Sequence, residues 1–199
     1  MQKLLIATGN RGKIKEFRTL LAGLDAQLLT PEDIDLKLEV EEDGQNYREN
    51  AGKKARVYSQ TSGFISLADD SGLEVDALDG APGLHSARYF PLPGATDADR
   101  RAFMLKNLKG RPRPWSAHFH ATIAIGLPGG QLLFTDGNCY GEIIPEERGK
   151  NGFGYDPIFF IPEMERTMAE LTMEQKNRLS HRALAVKNAL PLLQKVLQG

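Results

Sequence analysis

Lys3-Leu4-Leu5-Ile6-Ala7-Thr8-Gly9-Asn10-Arg11-Gly12-Lys13 sets a short apolar run against a glycine-punctuated turn carrying a lysine. Leu4 to Ala7 is consecutively apolar and bounded by a turn signal, which predicts a buried strand. Gly9 and Gly12 are expected to let the backbone turn sharply and approach a ligand. Ile14, Phe17, Leu21 and Leu24 then recur at roughly helical spacing, which predicts an amphipathic helix. Strand, glycine turn, lysine and helix N-terminus together form an anion cradle of backbone N–H groups and one cation. The stretch is not a P-loop, because only Asn10 and Arg11 separate Gly9 from Gly12 and Ile14 follows Lys13. It is not a Rossmann fingerprint either, since the third glycine is missing. An ordinary strand-to-helix turn and a phosphate cradle both fit this stretch alone.

Working outward, the 199-residue chain is long enough to bury a sizeable core. Charged residues make up 26% and apolar residues 41%, as in ordinary globular proteins. A net charge of −1 argues against a general nucleic-acid binder, although not against a local basic pocket. The single cysteine, Cys139, excludes an intrachain disulfide and favours a reducing compartment. No apolar run approaches the roughly 18 residues that a membrane span needs. The N-terminus runs straight into the first strand without a signal-peptide pattern, so a cytoplasmic setting is expected.

Further along, Ala26–Leu29 reads as a second strand ended by Thr30-Pro31. Glu32 to Gly44 is an acidic stretch, either a solvated loop or the source of one magnesium carboxylate. Asn46 to Thr61 reads as a helix with Tyr47, Ala51, Ala55 and Tyr58 on one side and Lys53, Lys54 and Arg56 elsewhere. Phe64 to Ala68 is expected to be a buried strand ending at Asp69-Asp70-Ser71-Gly72, with a strand resuming over Leu73 to Ala77. Two adjacent carboxylates need a cation, a proton or hydrogen-bond donors, and a turn or helix cap explains the same residues. Thr96 is placed to cap a helix over Asp97–Leu108. Trp115 to Leu127 and Gln131 to Thr135, joined by Pro128-Gly129-Gly130, read as a β-hairpin. His118 and His120 share one face of that strand with no third ligand nearby, and Cys139 reads as core. Gly152-Phe153-Gly154-Tyr155-Asp156 suits a nucleobase, with a ring to stack and backbone to read base edges, or simply a turn with a packed Phe. Thr172 and Gln175 form a capping box. The helical region after it runs through Lys176 and His181-Arg182 to Gln198, with a break expected near Pro191.

Five of these stretches occur together in one order. They are Thr8-Gly9-Asn10-Arg11-Gly12-Lys13, Ala68-Asp69-Asp70-Ser71-Gly72-Leu73, Gly80-Ala81-Pro82-Gly83 with Ser86-Ala87-Arg88-Tyr89, Gly152 to Pro157, and Ser180-His181-Arg182. Over essentially its whole length the chain closely resembles the inosine triphosphate pyrophosphatases, also described as dITP/XTP pyrophosphatases. The resemblance implies a single α/β domain over residues 1–199: a mixed, twisted β-sheet with flanking helices, in two lobes around a central cleft. It also implies hydrolysis of ITP, dITP, XTP and dXTP to monophosphate and pyrophosphate, which keeps deaminated purines out of DNA and RNA. A Mg2+ requirement and a homodimer come with it, with no nucleic-acid or membrane partner.

Matched motif by motif, the resemblance makes Thr8, Gly9, Asn10, Arg11, Gly12 and Lys13 a triphosphate cradle. Asp70 becomes the catalytic base and a magnesium ligand, and Ser71 a substrate contact. Glu42 is assigned as the second metal carboxylate and Lys54 as a phosphate contact, with Glu41 and Lys53 one residue away as alternatives. Phe153, Gly154, Tyr155, Asp156, Lys176, His181 and Arg182 fall on the base and ribose side. Phe90-Pro91-Leu92-Pro93-Gly94 departs from the shorter polar stretch expected there, so a different loop is anticipated. A pyrophosphatase of other nucleoside triphosphates and a non-catalytic nucleotide sensor are the competing functions.

Overall fold

In the computed structural model, which describes residues 2–198, seven strands pair in the order β2-β1-β3-β4-β5-β6-β7. They are β1 (Gln2–Ile6), β2 (Ala26–Leu29), β3 (Ile65–Val75), β4 (Trp115–Gly126), β5 (Leu132–Ile143), β6 (Phe159–Ile161) and β7 (Arg166–Thr167). The helices are α1 (Arg11–Leu20), α2 (Tyr47–Ser62), α3 (Asp97–Leu108), α4 (Met173–Leu179) and α5 (His181–Gln198). β1 runs parallel to β2 and β3, whereas β6 is antiparallel to β5 and β7, so the sheet is mixed as expected.

The chain divides into two compact units. The first comprises Met1–Asp70, Ala121–Gly137 and His181–Gly199, and the second Ser71–His120 and Asn138–Ser180. In the first unit β1 is apolar at every core position because both of its faces are covered. Leu4 and Ile6 pack with Phe17 and Leu21 of the α1 region and Ala185, Val186 and Ala189 of α5. Leu5 and Ala7 pack with Ala51, Ala55 and Tyr58 of α2. Leu36, Leu38 and Val40 lie partly buried against that second cluster, which ties down the acidic stretch between β2 and α2. The second unit has its own core, in which Leu73, Val75, Met104, Leu108, Phe119 and Phe159 meet.

Three expectations change. β3 does not end at Asp69 but continues through Asp70, Ser71 and Gly72 to Val75. The turn propensity of Asp, Ser and Gly is overridden because Leu67, Leu73 and Val75 are fully buried and both carboxylates find donors. β5 runs to Ile143 rather than Thr135, carrying Cys139 into the core of the second unit. Burial pushes the Cys139 thiol up to about 12.

The C-terminal helical region breaks at Ser180, in an extended conformation, while α5 passes through Pro191 without interruption. A proline inside a helix costs about 3 kcal/mol through one lost bond and a clash. Here Pro191 and Lys187, whose carbonyl loses its partner, are both exposed, so water can take that carbonyl. Ala189, Leu193 and Leu197 on the other side are buried and hold the helix in register.

Candidate active site

Adjacent β3 residues point to opposite faces of the pleat, so Asp69 and Asp70 meet different helices. Asp69 is 1% exposed and accepts from Arg182 Nε and Nη2, both at 3.0 Å, while its other oxygen lies 3.1 Å from Lys13 Nζ. Arg182 Nη1 donates to Glu16 Oε2 at 2.5 Å. Lys13 and Glu16 lie three residues apart on α1 and therefore share a helical face. Two carboxylates and two cations thus close a charge-balanced buried cluster. Its partners are far apart in sequence, and burial makes breaking any one pair expensive. Burial alone would raise the Asp69 pKa, but Lys13, Arg182 and Lys54 outweigh it and hold the carboxyl well below its ordinary range. For Lys13 burial is the larger influence, and its ammonium titrates below the usual lysine value despite Asp69.

Asp70 faces α2. Its Oδ2 accepts from Asn50 Nδ2 at 3.0 Å, and its Oδ1 lies 3.8 Å from Lys54 Nζ. Lys54 also donates to Glu42 Oε1 at 2.7 Å and to the Asp69 carbonyl at 2.6 Å. Asn50 and Lys54 are i and i+4 on α2. The Asn50 carboxamide works in both directions, since its oxygen accepts the Gly44 N–H at 2.8 Å. It therefore fixes the chain just after Glu42. Burial raises the Asp70 pKa, and Lys54 and Asn50 offset this only in part. For Lys54 burial is opposed by Asp69, Asp70 and Glu42, with a net rise. Of the neighbours left open by the sequence, Lys54 and Glu42 stand beside Asp70. Lys53 pairs with Asp43 at 2.6 Å, half exposed, and Glu41 is exposed.

The two carboxylates, Glu42 and Asp70, are chemically suitable oxygen donors for magnesium. Lys54 Nζ stands between Glu42 and Asp70 as a cation between two anions. Magnesium is commonly held by one or two carboxylates plus substrate phosphates rather than by a full protein cage. Among the described residues no group of three or more His, Cys, Asp or Glu side chains is placed to hold a metal alone.

The Thr8–Lys13 stretch leads from β1 into α1. Neither Gly9 nor Gly12 takes a positive φ, so the expected sharp glycine turn is absent. The turn is made instead by Asn10, whose backbone N–H donates to Thr8 Oγ1 at 3.2 Å and whose side chain caps α1 by accepting the Lys13 N–H at 3.1 Å. A Cβ at Gly9 would meet nothing within 4 Å, so the residue leaves open space beside an exposed helix start. The N–H groups of Arg11 and Gly12, in the first turn, have no helical carbonyl to donate to. His181 opens α5 and is buried. The start of α5 is pressed against β5 at Gly137, where a Cβ would come within 2.3 Å of the His181 carbonyl oxygen. That close approach seats Arg182 in the cluster.

In the second unit, Gly152 and Gly154 adopt positive φ of 75° and 62° on either side of Phe153. A Cβ at Gly152 would come within 1.9 Å of Asp156 Oδ2. That oxygen accepts the Phe153 N–H at 2.9 Å and the Lys176 ammonium at 2.6 Å. Lys176 Nζ also lies 5.1 Å from the centre of the Phe153 ring. Tyr155 is buried, and its hydroxyl donates to the Ser86 carbonyl at 2.8 Å. Ser86 in turn accepts the Leu73 N–H through its own hydroxyl. Ser71 is half buried on β3. His118 lies 3.5 Å from Glu74, and His120 contacts Asn138 at 2.7 Å.

The structure therefore gathers Lys13, Lys54, Glu42, Asp70 and Arg182 in one unit and Phe153, Asp156 and Lys176 in the other. Arg182, expected on the base side, is engaged with Asp69 and Glu16. The Phe153 and Gly154 N–H groups, expected to read base edges, donate to Asp156 and Asp97. The sequence reading missed Glu16, Asn50 and the central place of Asp69. The signals were present: Glu16 three residues after Lys13, and Asn50 four before Lys54.

The profile of the Ham1 family matches residues 4–192. A dITP/XTP pyrophosphatase of Desulforamulus reducens is 45% identical over 195 residues, spanning 98% of this chain and 96% of that protein. The corresponding protein of Geobacter sulfurreducens is 47% identical over 187 residues, 94% of each chain. Among solved structures, a HAM1 protein from Coxiella burnetii superposes with a TM-score of 0.88 at 39% identity, covering 98% of this chain and 100% of that one.

Proposed function

The chain belongs to the Ham1 family, and from that premise we propose that it hydrolyses deaminated purine nucleoside triphosphates, ITP, dITP, XTP and dXTP, to the monophosphate and pyrophosphate. The observation that carries the reading is the near-full-length likeness to dITP/XTP pyrophosphatases, and the neighbouring pair of aspartates supplies its chemistry. One carboxylate, Asp69, is locked in its charged form among cations. The other, Asp70, is kept more basic than usual beside Lys54 and Glu42. Asp69 stays anionic as part of the buried cluster, which leaves Asp70 as the carboxylate of the pair placed to take a proton.

A triphosphate brings about four negative charges, and the protein must meet them with preorganised positive ones. Lys13 and Lys54 supply point charges, and the exposed start of α1 offers N–H donors. Asp70 accepts a proton from the attacking water and orients it, while Asn50 fixes the carboxylate's rotation. Glu42 and Asp70 would hold magnesium, which supplies charge neutralisation on the phosphate oxygens and the leaving pyrophosphate. Ser71 is assigned a contact to substrate.

The purine is assigned to the Phe153–Asp156 turn and Lys176, since Arg182 is taken up by Asp69 and Glu16. The Phe153 ring offers a stacking surface, worth about 1–3 kcal/mol per base. Hypoxanthine and xanthine carry an oxygen at position 6 where adenine carries an amino group. A donor aimed there leaves adenine mispaired at about 1–3 kcal/mol, roughly tenfold to a hundredfold in rate. Guanine shares the oxygen and has to be refused at position 2. Because the Phe153 and Gly154 amides are occupied, side chains carry this reading.

A homodimer in the cytoplasm belongs to the same proposal. Leu92 and Tyr140, exposed by 64% and 69%, offer apolar contacts for a second copy, and sedimentation measures it. No helix is long and apolar enough to cross a membrane among the described residues. The deciding experiment is pyrophosphate release from ITP, XTP, GTP and ATP with magnesium, for the native protein and Asp70→Asn. Turnover of ITP and XTP well above GTP and ATP, lost in the variant, is expected. Equal turnover of all four would favour a general triphosphate pyrophosphatase, and binding without release a sensor.

A further inference from the structure

Phe153 sits between two glycines in left-handed conformations, a backbone that is intrinsically free to move. A Cβ on Gly154 would meet nothing within 4 Å, so this glycine is required by its dihedral angle and not by crowding. Such a turn presents its aromatic ring in one place only if something outside it holds the backbone. Asp156 and Lys176 grip the turn from its C-terminal side. The opposite grip comes from α3.

Thr96 and Asp99 form a reciprocal capping box at the start of α3, so the capping task is complete without Asp97. The Asp97 Oδ2 accepts the Gly154 N–H at 2.8 Å, and its Oδ1 is held by Arg100, which also donates to the Ala95 carbonyl. One helical turn later, Arg101 Nη1 donates to the Gly154 carbonyl at 2.9 Å. The Arg101 Nε and Nη2 groups form a two-bond fork with Glu147, both at 2.9 Å, which fixes the guanidinium plane. The two peptide groups flanking Gly154 are thus clamped by an anion on one side and a cation on the other. Each clamp is itself held by a partner of opposite charge.

We propose that Asp97 and Arg101 are positioning residues for purine recognition, holding Gly154 so that the Phe153 ring is presented ready-made to the base. This rests on the assignment of the Phe153 turn to the base under the proposed function. Releasing the turn moves the ordering of a two-glycine segment from folding to binding. The loss therefore falls on affinity rather than on the chemical step.

The test is a double-variant cycle on the full-length protein, following pyrophosphate release from ITP and XTP. Dissociation constants for the nucleotide panel are measured in parallel by equilibrium dialysis. Arg101→Ala and Asp97→Ala are each expected to raise KM for ITP about tenfold while kcat changes less than about threefold, a binding loss of about 1.4 kcal/mol. Asp97→Asn keeps an oxygen facing the Gly154 N–H and is expected to recover most of the affinity. Placed on a Phe153→Ala background, the same substitutions are expected to add no further loss. A merely structural clamp would weaken that background as much as the native protein, and this result would overturn the proposal, as would an unchanged KM in both alanine variants. If the native protein binds and hydrolyses some other nucleotide, the substrate reading fails, and the same cycle on that nucleotide still decides the clamp.

Discussion

The two charged regions of this molecule solve the same problem, holding a cation beside a carboxylate, with different materials. In the first unit the cluster of Lys13, Glu16, Asp69 and Arg182 draws on α1, β3 and α5, and joins residues 113 and 166 positions apart. In the second unit Asp156 and Lys176 lie 20 positions apart, and the rest of the arrangement is backbone: the Phe153 N–H on Asp156, and Gly154 held by α3. The first region concentrates charge from three elements and is stiff because each ion is buried with its partners. The second buries its one ion pair as deeply, with Lys176 and Asp156 5% and 4% exposed, and uses it to hold a two-glycine turn. Damage to the first is therefore expected to cost stability and chemistry together, and damage to the second stability and affinity.

The largest expected effect is on the chemistry of the first region. Asp70→Asn is expected to lower kcat by about a hundredfold to ten-thousandfold, the range for a lost acid–base group, with the protein still folded. A variant that retains native turnover would move the base elsewhere. Next is the buried cluster itself. Asp69→Ala leaves Arg182 and Lys13 facing each other without their shared anion, and breaking such a pair costs about 3–5 kcal/mol. For a chain of this size that is a fall of roughly 10 °C in Tm, read by calorimetry or circular dichroism. Lys176→Ala strands the equally buried Asp156 and is expected to cost a similar amount, about 3–5 kcal/mol with a comparable fall in Tm, but to raise KM for ITP with little change in kcat. A fall in kcat as large as that of Asp70→Asn would overturn the division between the two regions.

A smaller effect concerns metal. Magnesium bound only by the folded protein raises Tm by mass action, and Glu42→Gln is expected to lose most of that rise while keeping the metal-free Tm within a few degrees. An undiminished rise would place the ion away from Glu42. The smallest is a pH dependence within the aspartate pair. The Asp69 pKa is lowered by Lys13, Arg182 and Lys54 against its burial, so its stabilisation is present above the ordinary carboxylate value of 3.8 and is lost as pH falls. Burial raises the Asp70 pKa, so its contribution has the opposite sign: present below 3.8 and lost as pH rises through the raised value. Without divalent cations, Asp70→Asn is therefore expected to be slightly more stable than the native protein at pH 7, with the gap closing as pH approaches 3.8. A gap that widens with acid would reverse the assignment.

Much of the scaffold was legible residue by residue. β2, the limits of α3, the cap at Thr96 and the capping box at Thr172 follow from strong local chemistry that tertiary packing had no reason to override. Where the reading went astray, packing outweighed propensity. β3 runs through four turn-forming residues because its flanks are buried, and α5 absorbs Pro191 because the orphaned carbonyl faces water. The candidate site was legible as a set of residue types in order, but not as contacts. Asp69 and Asp70 look alike in sequence and acquire opposite proton affinities only because the pleat turns one between Lys13 and Arg182, while burial of the other is offset only in part by Lys54 and Asn50.

By itself, then, the sequence determined which segments fold as strands and helices around Lys3 to Lys13, and which motifs mark the family. Those depend on neighbours within a few residues, on apolar period and on caps. Tertiary structure alone decided that Glu16 and Arg182 lock Asp69, that Asn50 ties Gly44 to Asp70, and that α3 holds Gly154. Coulomb and hydrogen-bond energies depend on distance in space and on exclusion of water, and sequence spacing sets neither.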